Sequence, residues 1–215
     1  MGIRTVLVED DLFMRGILSD ALKARGVQVL GQYATAAEAA KMPEQLKPNV
    51  AVLDLHLGSG PSGLDVAMFL RKRNPYIGLV FLTSFDDPRL LNPHLPKLPH
   101  NASYLTKSKL GNIDELLMAM SDAALGINGD AHASHSGSQI REFTDTQLET
   151  LRLVAQGYSN AEIASRRFVT QRSVEISIAR IAKTLGLAAD ATRNQRVHMA
   201  RVYFRAMGRS PVDEE

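Results

Sequence analysis

The chain has 215 residues, of which 45% are hydrophobic and none is cysteine, and its formal net charge is +2. This length suits one large domain or two small ones with packed cores, and the absence of cysteine excludes disulfides and thiolate metal sites. No apolar run reaches the roughly 18 residues of a membrane-spanning helix, and the first residues lack a signal-peptide pattern. We therefore expect a cytoplasmic protein without a membrane partner.

The first 125 residues alternate strand and helix patterns. Short β-rich runs predict strands at Ile3–Val8, Val27–Tyr33, Val50–Leu55, Gly78–Thr83 and Ala102–Leu105. Several are almost continuously apolar, as expected for parallel strands covered on both faces. Apolar residues at three- and four-residue spacing predict helices at Leu12–Arg25, Thr35–Leu46, Gly63–Asn74 and Ile113–Leu125. The alternation predicts an α/β domain over residues 1–125, with a doubly wound five-stranded parallel sheet.

The segment Asp86–Asn101 interrupts this alternation. It contains four prolines, at positions 88, 93, 96 and 99. Each proline removes a backbone donor and restricts the residue before it. We therefore expect a loop here, or at most one short helical turn, and an atypical surface for any signal that leaves this domain.

The C-terminal part is predicted to be helical. Residues 126–139 are small, polar and without periodicity, which indicates a flexible linker. Four helices follow, predicted at Asp145–Gln156, Asn160–Phe168, Gln171–Leu185 and Thr192–Met207. Thr144, Ser159 and Thr170 are the expected N-caps, and Gly157 and Gly186 stand where C-terminal glycines belong. This predicts a second, all-α domain over residues 140–209 and a tail at 210–215.

Polar residues cluster at the predicted carboxyl ends of the strands. Glu9 and Asp10 follow the first strand, Asp54 ends the third, Thr83 ends the fourth and Lys107 follows the fifth. Such side chains converge on one crevice, where three carboxylates require a cation and oxygen ligands favour Mg²⁺. A carboxylate beside that ion can attack a phosphoryl group and form an acyl phosphate. Thr83 and Lys107 would then bind the phosphoryl oxygens.

The motifs VLVEDDLFMR, VLDLHL, LTS and SYLTK, in this order and spacing, resemble the receiver domain of response regulators over residues 3–125. The resemblance implies a flavodoxin-like fold, Mg²⁺ as cofactor and a sensor histidine kinase as partner. It implies Asp54 as phosphoacceptor, Thr83 as switch hydroxyl, Lys107 as phosphate-binding lysine and Tyr104 as switch aromatic. The implied metal ligands are Glu9, Asp10, Asp54 and, through its backbone carbonyl, His56. Counting back five positions from Arg15, as the family pattern does, selects Asp10 and leaves Asp11 outside.

Other roles stay open for these residues. Asp54 is alternatively a strand-end acid that caps the turn Gly58–Gly63, Lys107 a surface charge and Tyr104 a plain core aromatic. A phosphatase with Asp54 as nucleophile is a further alternative. Against a phosphatase, the sequence has His56 and not a second acid two residues after Asp54. A phosphatase activity would also leave the C-terminal domain unexplained. We therefore expect a protein that accepts phosphate on its own aspartate and is not a turnover enzyme.

The C-terminal domain is basic. Residues 139–209 contain twelve Lys and Arg against six acids, whereas residues 1–125 are balanced at thirteen each. Eleven of the twelve cations are arginine, which suits contacts to phosphates and base edges, although a solvated helical surface is the alternative. The sequence FTDTQLETLRLVAQGYSNAEIASRRFVTQRSVEISIARIAKTLG resembles the LuxR-type helix-turn-helix domain of NarL/FixJ regulators over residues 141–207. Its expected core residues are Ile163, Ala164, Val174, Ile181 and Leu185.

The predicted helix Gln171–Leu185 would enter the major groove of double-stranded DNA. Its expected DNA-binding residues are Gln171, Arg172, Glu175 and Arg180, with Arg166 and Arg167 on the phosphate backbone. The chain has Ser177 and Ile178 where the family usually has a histidine and a basic residue. We therefore expect Ile178 either on the DNA-facing side, weakening phosphate contact, or in a different packing.

We interpret the chain as a DNA-binding transcriptional response regulator in which phosphorylation of Asp54 changes oligomerisation or DNA affinity. A homodimer is expected when the protein is active, with Tyr203 and Phe204 either at its interface or packed within the domain. The alternative is a regulator whose receiver works without phosphorylation, under the control of a ligand or partner protein. Intact acidic residues argue against that alternative, and the proline-rich segment argues for it.

Overall fold

The computed structural model describes residues 2–92, 95, 97–127, 139–187 and 194–208. These residues form two compact units, one within Met1–Thr83 and Pro96–Ser136 and the other within Ser84–Leu95 and Gly137–Glu215. Most of the predicted linker, residues 128–138, and the predicted tail, residues 210–215, lie outside the described residues. Among the described residues, no helix combines the length and apolar character needed to cross a membrane.

The first unit is built on a five-stranded parallel sheet, as predicted. The strands are β1 Arg4–Val8, β2 Gln28–Tyr33, β3 Val50–Leu53, β4 Gly78–Thr83 and β5 Ala102–Thr106. Their order is β2-β1-β3-β4-β5, so the winding direction reverses between β1 and β3. Every residue of β3, β4 and β5 is buried, which explains their continuous apolar sequence. The carboxyl ends of β1 and β3 therefore flank the crevice where such sheets bind ligands.

Four helices cover the sheet: α1 Leu12–Ala24, α2 Ala36–Ala40, α3 Gly63–Arg73 and α4 Ile113–Leu125. The helix predicted at Thr35–Leu46 is wrong in length. Only α2 forms, capped by Thr35, and a separate 3-10 turn follows at Glu44–Leu46. Pro43 explains the interruption, because it lacks an N–H and disfavours a helical conformation at the residue before it.

The segment after β4 belongs to the helical unit. Its described part contains one 3-10 turn at Pro88–Leu90 and no α-helix, in agreement with the prediction. Ser84–Leu95 is grouped with the C-terminal residues, whereas the sequence analysis placed it in the domain 1–125. Phe85 and Leu90 are buried in the hydrophobic core of the helical unit. Long-range packing therefore decides where this segment belongs.

The helical unit contains α5 Asp145–Ala155, α6 Asn160–Arg166, α7 Gln171–Thr184 and α8 Gln195–Ala206, preceded by a 3-10 turn at Gln139–Glu142. The predicted caps form: the side chains of Thr144, Ser159 and Thr170 each accept a hydrogen bond from the backbone N–H three residues on. The predicted start of α8, Thr192, lies outside the described residues.

The core of the helical unit includes all five predicted residues, Ile163, Ala164, Val174, Ile181 and Leu185. Ile178 is also buried in this core, with 9% of its surface exposed, so of the two alternatives for this residue the structure favours a different packing over a DNA-facing position. The reason is helical periodicity, because Ile178 lies four residues after Val174 and three before Ile181. Tyr203 is buried in the same core and Phe204 packs against it, which supports packing within the unit for this pair.

Candidate functional site

Three acidic residues occupy the carboxyl ends of β1 and β3. Glu9 and Asp10 directly follow β1, and Asp54 directly follows β3. The backbone N–H of Asp54 donates to the carbonyl of Val8 at 2.8 Å, so the sheet pairing continues to the first residue of the site. The structure thus places these acids at the reversal point of the sheet, where the sequence analysis expected them.

Lys107 joins two of the three carboxylates. Its Nζ lies 2.7 Å from Asp54 Oδ2 and donates to Glu9 Oε1 at 2.8 Å. Only 4% of the Glu9 side chain and 7% of the Asp54 side chain are exposed, against 16% for Lys107. Lys107 is therefore a half-buried ion-pair partner of both acids, which excludes its alternative interpretation as a plain surface charge.

Burial and charge shift the titration of this group. Burial raises the pKa of Glu9, because the charged form loses solvation, and this outweighs the hydrogen bond from Lys107. Burial alone would lower the pKa of Lys107, but the charges and hydrogen bonds of Asp54 and Glu9 outweigh it and raise that pKa. Lys107 is therefore held in its protonated form by the two carboxylates.

Asp10 completes the acidic cluster. One oxygen each from Glu9, Asp10 and Asp54 lie within 4.8 Å of one another. Asp11 is instead the N-cap of α1, because its carboxylate accepts a hydrogen bond from the Met14 N–H at 2.8 Å. The local conformation therefore separates the two neighbouring acids into a cluster member and a helix cap.

The loop after β3 holds Asp54 closely. The N–H of His56 donates to Asp54 Oδ1 at 3.2 Å, and Gly63 at the start of α3 donates to the carbonyl of Leu55 at 3.0 Å. A Cβ atom at position 63 would overlap the carbonyl oxygen of Asp54. Only glycine fits this approach, so Gly63 fixes the distance between α3 and the site. From the sequence, Gly63 was expected only at the end of a turn and the start of a helix, without a role in the site.

Thr83 and Tyr104 lie on the neighbouring strands. Thr83 is the last residue of β4, is fully buried and pairs with Thr106, the residue before Lys107. Tyr104 lies inside β5, opposite Phe81, and is only 1% exposed. The structure places Thr83 at the same edge of the sheet as Lys107 and places Tyr104 in the packed interior. The predicted switch roles of both residues stay predictions.

The donor set of the cluster fits a hard cation. All three side chains offer oxygen, the ligand type that Mg²⁺ prefers. Lys107 offsets only one of the three carboxylate charges, so the ionised cluster keeps two negative charges in a largely buried site. A divalent cation would neutralise them, whereas a zinc site would call for nitrogen or sulfur ligands.

Comparisons with known proteins divide the chain into an N-terminal and a C-terminal family match. The family described as "Response regulator receiver domain" matches residues 5–109, and the family described as "Bacterial regulatory proteins, luxR family" matches residues 141–201. The chain belongs to the NarL/FixJ family of two-component response regulators. This is a family of DNA-binding transcriptional regulators and not of enzymes, and the matches do not favour a receiver that works without phosphorylation.

Individual relatives span most of the chain. It is 28% identical over 199 residues to the DNA-binding transcriptional activator DevR/DosR of Mycobacterium tuberculosis, covering 86% of this chain and 89% of the relative. It is 26% identical over 197 residues to the transcriptional regulatory protein LiaR of Bacillus subtilis, covering 86% and 92%. A solved complex of the response regulator RcsB with DNA has the same fold, with a TM-score of 0.58, 16% identity and coverage of 96% and 99%. A solved structure of RcsB from Salmonella typhimurium has a TM-score of 0.54 and 16% identity, and the match covers 93% of this chain and 98% of that one.

The LuxR-type unit of this response regulator presents polar residues on α7. Gln171, Arg172 and Arg180 are exposed and Glu175 is half-buried. Arg172 Nη1 lies 3.5 Å from Glu175 Oε2, and Gln171 Nε2 lies 3.4 Å from Glu175 Oε1. Glu175 therefore contacts both neighbours, and the four predicted base-reading residues lie on one solvent-facing helix.

Arg166 and Arg167 have different environments. Arg166 lies over the Tyr158 ring at 4.0 Å and pairs with Glu162 at 2.7 Å, and its side chain is 47% exposed. Arg167 is half-buried and donates to the hydroxyl of Thr150, which is fully buried and also lies 3.3 Å from Ser177 Oγ. Arg166 faces solvent, whereas Arg167 reaches into the unit. The predicted phosphate contacts stay predictions for both.

Sequence reasoning missed Arg89, which connects the segment after β4 to the start of α5. Its guanidinium contacts both carboxylate oxygens of Asp87, at 3.0 and 2.9 Å, and donates to the carbonyl of Phe143 at 2.7 Å and to Asp145 Oδ1 at 3.0 Å. The hydrogen bonds that Arg89 donates to Asp87 raise the pKa of Arg89 above its ordinary value. Asp87 is only 5% exposed. No local sequence signal marks this network, because the partners are about 55 residues apart in the chain.

Proposed function

We propose that this response regulator accepts a phosphoryl group on Asp54 from a sensor histidine kinase in the cytoplasm, and that the modification changes its affinity for double-stranded DNA. One observation carries the proposal: a half-buried lysine, Lys107, contacts both Asp54 and Glu9 at the reversal point of the sheet. The proposal keeps a receiver at 1–125, a linker at 126–139 and a DNA-binding domain at 140–209.

The chemistry is a direct transfer to a carboxylate. A bond forms between an Asp54 oxygen and phosphorus, the bond from phosphorus to the donor's nitrogen breaks, and its electron pair leaves with the donor. The ammonium of Lys107, already 2.7 Å from Asp54, is placed to offset charge on the incoming phosphoryl oxygens. Thr83, at the same sheet edge, is proposed to hydrogen-bond one of those oxygens.

Glu9, Asp10 and Asp54, with the backbone carbonyl of His56, are the proposed ligands of Mg²⁺. When bound, the ion supplies positive charge beside the transferring group and neutralises the two charges that Lys107 leaves. Without it, Glu9 and Asp54 share the ammonium of Lys107.

The second half of the proposal is binding to double-stranded DNA. The exposed residues Gln171, Arg172 and Arg180, with Glu175, are proposed to reach base edges, and Arg166 and Arg167 the phosphate backbone. Support comes from the LuxR-type family match and from the solved RcsB–DNA complex of the same fold. Another solved structure of the same fold contains two RcsB dimers bound to two DNAs, and we propose a homodimer as the active form here.

The route from the phosphorylation site is proposed to run through the residues that directly follow Thr83. Phe85 and Leu90 lie in the core of the helical unit, and the N–H of Asp86 donates to the carbonyl of Ala206 at 2.8 Å. Arg89 ties the same segment to the start of α5. A displacement of Thr83 therefore acts on residues that are packed into the helical unit, without an intervening helix. The surface that transmits phosphorylation is therefore proposed to be atypical for the family.

Labelling with a small phosphodonor tests the transfer. The purified chain is incubated with acetyl phosphate, with Mg²⁺ or with a chelator, and its intact mass is measured. We expect one phosphoryl group per chain, only with Mg²⁺, and none on the Asp54→Asn variant. Asp20→Asn, which changes an exposed acid on α1, is the matched control and should label normally. Labelling of Asp54→Asn at the wild-type level would overturn the assignment.

A further inference from the structure

Phe168, in the turn between α6 and α7, presents an unusual side chain to solvent. Its residue surface is 96% exposed, the highest value among the exposed large hydrophobic residues that the structure describes. Its φ is +52°, a left-handed conformation that bulky side chains rarely adopt. Both properties are unfavourable for a phenylalanine in an isolated protein.

The other helix ends of this chain show what the position normally requires. At the end of α6, the Phe168 N–H donates to the carbonyl of Ser165 at 3.2 Å and the Val169 N–H to that of Ala164 at 3.0 Å. The same pair of hydrogen bonds closes four other helices, α1, α4, α5 and α7. In these four the left-handed position holds glycine, namely Gly26, Gly126, Gly157 and Gly186. Glycine suits this position because it has no Cβ.

Neither the fold nor the local backbone therefore explains an aromatic ring at position 168. Four equivalent helix ends in the same chain have glycine at this position, so glycine would also give less backbone strain at the end of α6. Packing gives no reason either, since the ring is exposed and not among the residues packed on the helical core. The side chain must gain its stabilisation from something outside the unit.

The surroundings of Phe168 indicate duplex DNA as that partner. The stretch from Arg166 to Arg172 holds three arginines and no acid, so it complements a polyanion. Phe168 lies three residues before Gln171, the first residue of α7. The start of a recognition helix approaches base edges in the major groove, where thymine displays its methyl group.

We infer that Phe168 makes an apolar contact with a thymine methyl group in the operator and so contributes sequence preference. This inference rests on the DNA binding proposed above. It adds a base contact that is not a hydrogen bond and that arises from the turn, not from α7 itself. Because an apolar contact releases no counterion, it contributes affinity that does not depend on salt.

The test compares Phe168→Gly with wild type in the full chain. The probe is a duplex selected from a randomised library by the wild-type protein, together with the same duplex carrying uracil in place of thymine. We expect Phe168→Gly to raise Tm, because strain and exposed apolar surface are removed. On the thymine duplex it should bind roughly three- to tenfold more weakly, with an unchanged salt slope.

Three controls sharpen the result. Wild type should lose the same roughly three- to tenfold on the uracil duplex, and Phe168→Gly should bind both duplexes equally. Phe168→Leu, which keeps an apolar side chain, should restore thymine preference. Tyr76→Ala removes another highly exposed aromatic, in the first unit, and should leave binding unchanged. Equal binding by Phe168→Gly and wild type, or no effect of uracil on wild type, would overturn the inference alone. A wild-type chain that selects no duplex would overturn the proposed DNA binding as well.

Discussion

The ammonium of Lys107 lies 2.7 Å from the carboxylate of Asp54, although 53 residues separate them in the chain. The same ammonium also lies 2.7 Å from a carboxylate oxygen of Glu9. Lys107, which follows β5, thus joins the acids that follow β1 and β3.

Lys107→Met should destabilise the protein by about 3 kcal/mol, because two largely buried carboxylates lose the cation that they share. Added Mg²⁺ should recover part of the loss, since a divalent cation would offset the same charges. Urea denaturation with and without Mg²⁺ measures both effects. Lys72→Met, on the exposed side of α3, should change stability by less than about 0.5 kcal/mol. Equal stability of Lys107→Met and wild type without Mg²⁺ would contradict the ion-pair account.

The neighbouring acids Asp10 and Asp11 should respond differently to substitution. Mg²⁺ should raise the Tm of the wild type, by an amount that grows with concentration as expected for a ligand of the folded state. Asp10→Asn should reduce this shift strongly, because it removes one charge from the cluster. Asp11→Asn should keep it, since asparagine also caps a helix. A larger loss for Asp11→Asn than for Asp10→Asn would show that the wrong acid has been assigned.

Gly63→Ala should damage the site through its backbone. The new methyl group would overlap the Asp54 carbonyl, so α3 or the loop must move, at a cost of about 1–3 kcal/mol. Labelling of Asp54 by acetyl phosphate should slow as well. Gly16→Ala, on α1 with open space around it, should be neutral or raise stability by up to about 1 kcal/mol. Thermal unfolding and labelling rates of the two variants separate a local clash from a general effect of adding a methyl group.

Arg89→Met should uncouple phosphorylation of Asp54 from the change in DNA affinity. Asp87 is buried and would lose its guanidinium partner, which predicts a loss of about 2 kcal/mol or more in the helical unit. Asp54 should still accept phosphate, while the change in DNA affinity on phosphorylation shrinks. Arg25→Met breaks an ion pair between two exposed side chains and should leave both properties intact. A full DNA response in Arg89→Met would exclude the segment after β4 as the route.

Much of this structure follows from local sequence. The apolar runs predicted all five strands, and the caps at Thr144, Ser159 and Thr170 predicted the starts of three helices. The acidic crevice was also predictable, because strand ends in a parallel sheet share one edge.

The features that the sequence did not specify come from tertiary context. Pro43 splits the second predicted helix, and Ile178 turns to the core because its neighbours at three- and four-residue spacing do. The placement of Ser84–Leu95 with the helical unit and the network of Arg89 depend on partners far away in the chain, which periodicity does not encode. Phe168 was not singled out from the sequence because its exposure and its left-handed backbone are visible only in the structure.

The most direct test of the whole account is the affinity of the full chain for a library-selected duplex, measured before and after acetyl phosphate treatment in Mg²⁺. We predict that Kd changes for the wild type by about fivefold or more, and that Asp54→Asn shows the same Kd under both conditions. An identical response in wild type and Asp54→Asn would contradict the claim that the carboxylate held by Lys107 controls DNA binding.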